Sequence, residues 1–547
     1  MKKLFSIIIV TSLVLTSCSD WLDINKNPKA PTELELGKIL PGVYFDIADD
    51  LGLGYSTLGY VAAVYSHQLT TREHYDQYGV LGSSYAITTY WSDLYVGPMQ
   101  ELETLITLSE ESDNMVYAGI GKVLKVYLYS QMVDLWGDIP YTEANVVDNF
   151  NPVYDDQKSI YTSLFTILED AIDDLENETS ANVLMPGSDD LIYNGNVTKW
   201  IKAAKSLQLK LYNQVQFTDL YNQTKVNELL ADNLIGPNDN FMIPFGPSVA
   251  PDNRNPAFVG EYAGGQISNY ISPWFFEILK GENQQIFNGI EDPRIPYYFA
   301  EQLDDDNPDT ETKPEYRNGN FVSIYFGSVG PHRDGAGRKT FTMMGLYPVG
   351  GAFNNDPTLD RSAALGISSG TGAAPFRMIT YADILYIKAE LAAKGKYSGA
   401  DARALLEDAM EASFDLVDLV TEKAGADAPA LSGTEEVDEY IAKVLNEYDG
   451  GSNAKKLQII MTQKWISLFG TPIETYNDYR RTGYPIIFDP VTMASVADGG
   501  PDGSGPVPVQ SSRGYALSFP YSADELSLNN NAPAQKTITQ YKIFWDN

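Results

Sequence analysis

The chain has 547 residues, 44% of them hydrophobic and 20% charged, enough for a substantial core in one large domain or several small ones. Against 38 Lys and Arg stand 73 Asp and Glu, a formal net charge of −35. Such a surface repels nucleic-acid phosphates, and an anionic membrane too unless something covalent holds the chain there. A single cysteine, Cys18, excludes an intrachain disulfide or a thiolate metal cluster.

The N-terminus reads as an address. Met1-Lys2-Lys3 is a charged start, and a mostly apolar run follows from Leu4 to Leu15, too short to span a bilayer. Leu15-Thr16-Ser17-Cys18 then resembles a bacterial lipobox. The expectation is a signal peptide over 1–17, cleavage before Cys18 and acylation of that residue. Several acyl chains anchor firmly where one does not. A secreted chain without disulfides fits bacterial export, so the N-glycosylation sequons at Asn177, Asn196 and Asn222 read as chance.

The body is predicted to be helix after helix. Over 114–136 Val116, Ile120, Val123, Tyr127 and Leu135 recur at helical spacing. Over 158–176 Ile160, Leu164, Leu168, Ala171 and Leu175 form one stripe, with Asp155 and Asp156 as N-cap candidates. Trp200, Leu207 and Leu211 repeat the pattern over 198–215.

From about 233 to 378 the sequence turns rich in Gly, Pro, Asn and Asp, with short β-prone pieces such as Phe321–Phe326. This predicts a long loop-rich, partly β excursion, the kind of segment that carries binding on a rigid scaffold. Helices resume over 380–394 with Gly395 as a stop, then 399–415, 433–447 and 454–469 with Gly470 as a stop. Thr471-Pro472-Ile473-Glu474 reads as a capping box opening a last strong helix that runs to Gly483. The short linker before it predicts a helical hairpin. A second loop-rich stretch covers 486–515. The paired helices suggest tetratricopeptide-like stacking, a mainly α fold.

Several blocks in this order resemble the SusD/RagB family. They are the Cys18–Pro28 start, Met132–Ala144 with its Trp136-Gly137-Asp138-Ile139-Pro140 core, Pro152–Gln157 with Ile160 and Tyr161, and Asp292-Pro293-Arg294. Ile379–Glu390, Lys464–Gly470 and Asn477–Pro485 complete the set. The resemblance covers nearly the whole chain and implies one SusD-like domain over 18–547. It implies tetratricopeptide-like helix pairs carrying an irregular ligand face, and a nutrient-binding outer-membrane lipoprotein. The implied partner is a SusC-like TonB-dependent β-barrel transporter, with an oligosaccharide or a peptide as cargo. Ser19 and Asp20 are compatible with a short acidic surface-export signal. The blocks themselves read as structural: Trp136–Pro140 ends a helix and turns the chain, and Arg480 and Arg481 pair with carboxylates or cap helix ends.

Tyrosine occurs 36 times; its flat ring and hydroxyl suit surfaces that hold sugars or peptides, although many such rings line helix contacts. The candidate ligand contacts are Tyr75, Tyr78, Trp91, Tyr270, Trp274, Tyr325 and Phe353, residues of a kind more often found in cores. No catalytic residue, metal or cofactor is expected. Gly366–Gly370 has the form of a nucleophile elbow, but no strand-like run precedes it and every histidine lies upstream. His67 and His74, seven apart on one expected helix face, lack a third zinc ligand. Gly337-Arg338-Lys339-Thr340 reads as a turn. The acidic loop 304–315 offers oxygens for calcium, yet has Asp309 where an EF-hand needs glycine and Pro308 at a ligand position. Paired carboxylates would serve an all-helical glycoside hydrolase, but a chain this acidic brings some pair to that distance anyway.

Overall fold

The computed structural model describes residues 36–546, apart from 268, 305–313, 334, 336, 490–508 and 511–512. The expected signal segment, Cys18 and most of the acidic loop 304–315 lie outside the described residues.

The fold is mainly α. The N-terminal helices are α1 (Leu36–Leu51), α2 (Leu58–Tyr65), α3 (Tyr85–Leu94), α4 (Gln100–Glu111) and α5 (Met115–Trp136), followed by α6 (Gln157–Leu175), α7 (Val197–Gln214) and α8 (Gln223–Ala231). Consecutive helices pack on one another from α4 through α8. Asp156 caps α6 by accepting from Ser159 N–H, and Asn196 caps α7 by accepting from Lys199 N–H. Gly137, at φ +80, ends α5 where glycine alone is comfortable.

The excursion contains four short helices, α9 (Pro256–Ala263), α10 (Pro273–Leu279), α11 (Ile295–Tyr298) and α12 (Leu346–Val349). Its strands are two to four residues long and pair only two by two. The C-terminal stack is α13 (Tyr381–Ala393), α14 (Ala402–Ala424), α15 (Glu435–Asp449), α16 (Asn453–Ser467) and α17 (Pro472–Thr482), and α18 (Ala523–Leu528) follows near the end. Helix α14 runs nine residues past its expected end at 415, because Leu416, Val417 and Val420 continue the buried stripe.

Two expectations fail locally. Thr471 makes no capping bond; its hydroxyl turns to Arg377 O at 3.4 Å, while Glu474 is drawn 2.6 Å from Lys210 Nζ. The capping box forms instead at Thr380 and Asp383. Nor does α17 fold back along α16 as its main partner: after Gly470, at φ +104, it packs on α2.

Buried apolar side chains join into one cluster from Leu36 to Trp545. Each fully buried Leu or Phe in it stabilises by about 1.5–3 kcal/mol. Several of the polar groups taken inside tie distant parts of the chain together. Asp134 on α5 accepts from Trp545 Nε1 and Asn477 Nδ2, both at 2.8 Å, tying the C-terminal segment and α17 to the first half. Arg480 donates to the carbonyls of Asp134 and Leu517, so the Asn477–Pro485 block is structural, as read from sequence.

Candidate ligand-binding face

The site forms where α2 ends. His67, at φ +58, turns the chain into β1 (Leu69–Thr70), which pairs antiparallel with β2 (Tyr270–Ile271) from the excursion. β2 runs into α10, so residues 200 apart in sequence become neighbours. Beyond β1 the loop 71–84 contains one tight turn, His74–Gln77, closed by Tyr78 in the left-handed region at φ +56.

Asp76 fastens this loop to the excursion. It is buried and accepts from Thr71 N–H at 2.6 Å and Gly327 N–H at 3.3 Å, and Arg333 ion-pairs with it. Arg333 also donates to Ser328 O at 2.6 Å. Burial pushes the Asp76 carboxyl up to about 7, with Arg333 pulling it back. The C-terminal segment joins through Gln510 N–H, which donates to Gly327 O at 2.7 Å, and through the Tyr515 hydroxyl, which donates to Tyr65 O at 3.1 Å.

An aromatic floor underlies the loops. His67 stacks on Phe326 at 4.1 Å, and Tyr78 packs against Phe326 at 5.2 Å and Tyr515 at 4.7 Å. Burial lowers His67 to about 3, so it is neutral at physiological pH, with its Nε2 2.8 Å from the Tyr78 hydroxyl. Trp274 packs on Phe488 and donates to Ile486 O at 3.1 Å. Exposed Arg513 lies over Gly79, leaving no room for a Cβ there.

Of the seven aromatic candidates, Tyr75, Tyr78, Tyr270, Trp274 and Tyr325 come together on this face. Trp274 is half-buried; the other four are 3–5% exposed and lie beneath the loops. Trp91 sits elsewhere, edge-on to Trp136 at 5.1 Å, and Phe353 packs on Tyr297 at 4.7 Å beside α11. His67 and His74 do not share a helix face, because α2 stops at Tyr65 before either. The residues that sequence reasoning passed over are Arg72, Asp76, Arg333, Arg513 and Phe326. A signal was present: the three histidines and five of the Lys and Arg residues of a very acidic chain fall in loops 66–79, 328–340 and 509–515.

Asp76 is committed to Arg333 and two backbone N–H groups. Gly366–Gly370 is a turn, Gly366 N–H donating to Ser369 Oγ, without a strand before it. Gly337–Thr340 is likewise a turn, closed by Thr340 N–H on Gly337 O. Among the described residues no group of three His, Cys, Asp or Glu could hold a metal ion.

A helical stack carrying an irregular, loop-built face defines the fold class, and the comparisons give the family. Residues 28–501 match the SusD-like family model described as "Starch-binding associating with outer membrane", and the chain belongs to the SusD/RagB family. No curated protein matches its sequence. Among solved structures it is similar to a Bacteroidetes SusD-like protein (TM-score 0.67, 18% identity, covering 94% of this chain and 100% of that one). A chitin-binding protein is similar at TM-score 0.66, with the same identity and coverages. A chitin-binding SusD homologue from Flavobacterium johnsoniae follows at TM-score 0.63 and 18% identity, covering 93% and 98%.

Proposed function

We propose that this protein is a lipoprotein, anchored through Cys18 on the outer membrane and facing outward. It captures an oligosaccharide on the loop face and delivers it to a SusC-like TonB-dependent barrel. The family match supports an outer-membrane carbohydrate binder. Among the described residues no helix is long and apolar enough to cross a membrane, which is consistent with a lipid as the anchor.

The observation that carries the ligand reading is the convergence of loops 66–84, 264–274, 323–333 and 509–515 over one aromatic floor, on a rigid helical stack. Trp274 offers a ring face to sugar C–H groups, and Arg72 and Arg513 offer donors to hydroxyls. The commitment of Asp76 supports binding over bond cleavage: a carboxylate that fastens loops is poorly placed for general acid–base work.

Isothermal titration of the mature chain against a panel of glycans and an oligopeptide mixture tests this. Heat with a glycan is the expected result. Heat with peptides alone would replace sugar by peptide capture, and release of new reducing ends from a polysaccharide would replace binding by hydrolysis. Co-purification with a β-barrel tests the delivery step.

A further inference from the structure

A second recessed site shares no lining residue with the loop face, although Ala523 N–H donates to Gly82 O at 2.9 Å between them. Helix α3, the segment 140–152 and α18 enclose a groove of about 590 Å³. Its walls include Trp91, Tyr95, Val96, Val146, Phe150 and Leu528, and the rim carries Asp524 and Glu525 with no Lys or Arg in the lining.

The apolar side chains are unusually open. Val96 is 74% exposed, Phe150 80% and Leu528 76%, and neighbouring Val147 is 86% exposed. A contiguous exposed apolar patch of this kind marks a contact surface. The segment displaying it is firmly held. Asp155 accepts from Tyr141 N–H at 3.0 Å and Thr142 N–H at 2.8 Å, and Glu143 accepts from Asn149 Nδ2 and Val153 N–H. Asn529 and Asn531 side chains donate to the carbonyls of Pro152 and Asn151 at 2.9 and 2.6 Å. Structure is spent on keeping valines and a phenylalanine in water.

An independent observation comes from the tryptophans. Among the described residues Trp136, Trp200, Trp274, Trp465 and Trp545 each donate their ring N–H to a protein acceptor. Trp91 is 4% exposed, lines the groove, and has no acceptor among the described residues. Among the described tryptophans, Trp91 is thus the one whose indole N–H has no protein acceptor.

We propose that this groove binds an extended polypeptide segment of a partner protein, bearing apolar side chains and at least one Lys or Arg. Val96, Val146 and Leu528 offer aliphatic contacts to Val and Leu side chains. The bare N–H of Trp91 takes a peptide carbonyl, and the rim carboxylates take the cation. The site is separate from the proposed cargo face, so the two readings stand or fall independently.

The test uses the mature chain and two fluorescein-labelled pools of random dodecapeptides, one of Val, Leu, Gly and Lys, the other with Glu replacing Lys. Fluorescence anisotropy is expected to show the lysine pool binding at least tenfold tighter. The exposed double substitution Phe150→Ser with Leu528→Ser weakens it at least tenfold without changing the thermal midpoint. Trp91→Phe, which keeps a ring and removes the N–H, weakens it several-fold; should that variant fail to fold, the double substitution still decides. Equal binding of the two pools, binding unchanged in the double variant, or displacement of the peptides by chitohexaose would overturn the proposal.

Discussion

Arg481 on α17 donates to Glu390 on α13 at 2.8 Å across 91 residues of sequence, and neither side chain reaches solvent. Gln216 and Asn213 on the α7 side donate to the same carboxylate at 2.9 and 3.0 Å, so three parts of the chain meet at one buried charge. Such a pair adds little over well-packed apolar residues, but removing one partner strands the other in a low-dielectric interior. Glu390→Gln is expected to cost about 3–5 kcal/mol in urea denaturation at pH 7.

The pH dependence of that loss has a definite sign. Burial raises the Glu390 carboxyl, but Arg481 and Lys394 outweigh burial and hold it well below the usual carboxylate range. A depressed carboxyl contributes stability above its unfolded value near 4.5 and loses it as pH falls toward the folded value. The gap between wild type and Glu390→Gln is therefore expected to narrow below about pH 4.

Asp50 on α1 has the opposite sign. Its carboxyl is buried, with Oδ2 lacking a hydrogen-bond partner among the described residues, and burial followed by repulsion from Asp49, Asp93 and Asp46 raises it to about 8. Keeping it ionised in the folded state is costly above that pH, and the cost disappears on acidification to the unfolded value of 3.8. Asp50→Asn should stabilise the protein at pH 9 and leave it unchanged at pH 3.5, as read from denaturation midpoints.

The helices from α5 onward that carry recurring apolar residues at helical spacing were legible in the sequence; α5, α6, α7, α13 and α16 begin and end within one residue of the predicted bounds, bar a two-residue offset at the end of α16. The end of α14 and the cap of α17 were not, because the first depends on what α14 buries and the second on Lys210, 264 positions before Glu474. The candidate face was legible only in part. Tyr270 reaches the loop 71–84 through two-residue strands, and Asp76 finds Arg333 across 257 residues; neither pairing leaves a local pattern. Trp91 and Phe353 carry the same aromatic signal as Trp274, yet the chain folds them elsewhere.

Gly79 and Arg513 offer a conservative test of the face. A Cβ at Gly79 must displace the Arg513 guanidinium, the far end of a flexible side chain, and also meets His74 O of the backbone at 2.9 Å. Gly79→Ala and Arg513→Ala are each expected to lower glycan affinity about tenfold, ~1.4 kcal/mol. The thermal midpoint of Arg513→Ala should stay within about 2 °C, because that change opens no core cavity, whereas Gly79→Ala is expected to lower it slightly through the contact with His74 O. Loss of affinity in one variant alone would separate the arginine from the loop shape.

The anchor has its own test. Cys18→Ser should abolish incorporation of radiolabelled palmitate and move the protein from the membrane to the soluble fraction. Retention of the label would exclude Cys18 as the acylated residue.

The central claim, that the loop face holds the cargo, is tested most directly by amide hydrogen exchange of the mature chain with and without a saturating glycan. Slowed exchange is expected in residues 71–79, 323–333 and 513–515, with 144–150 unchanged and the glycan recovered intact. Protection confined to 144–150, or a glycan recovered as shorter fragments, would contradict it.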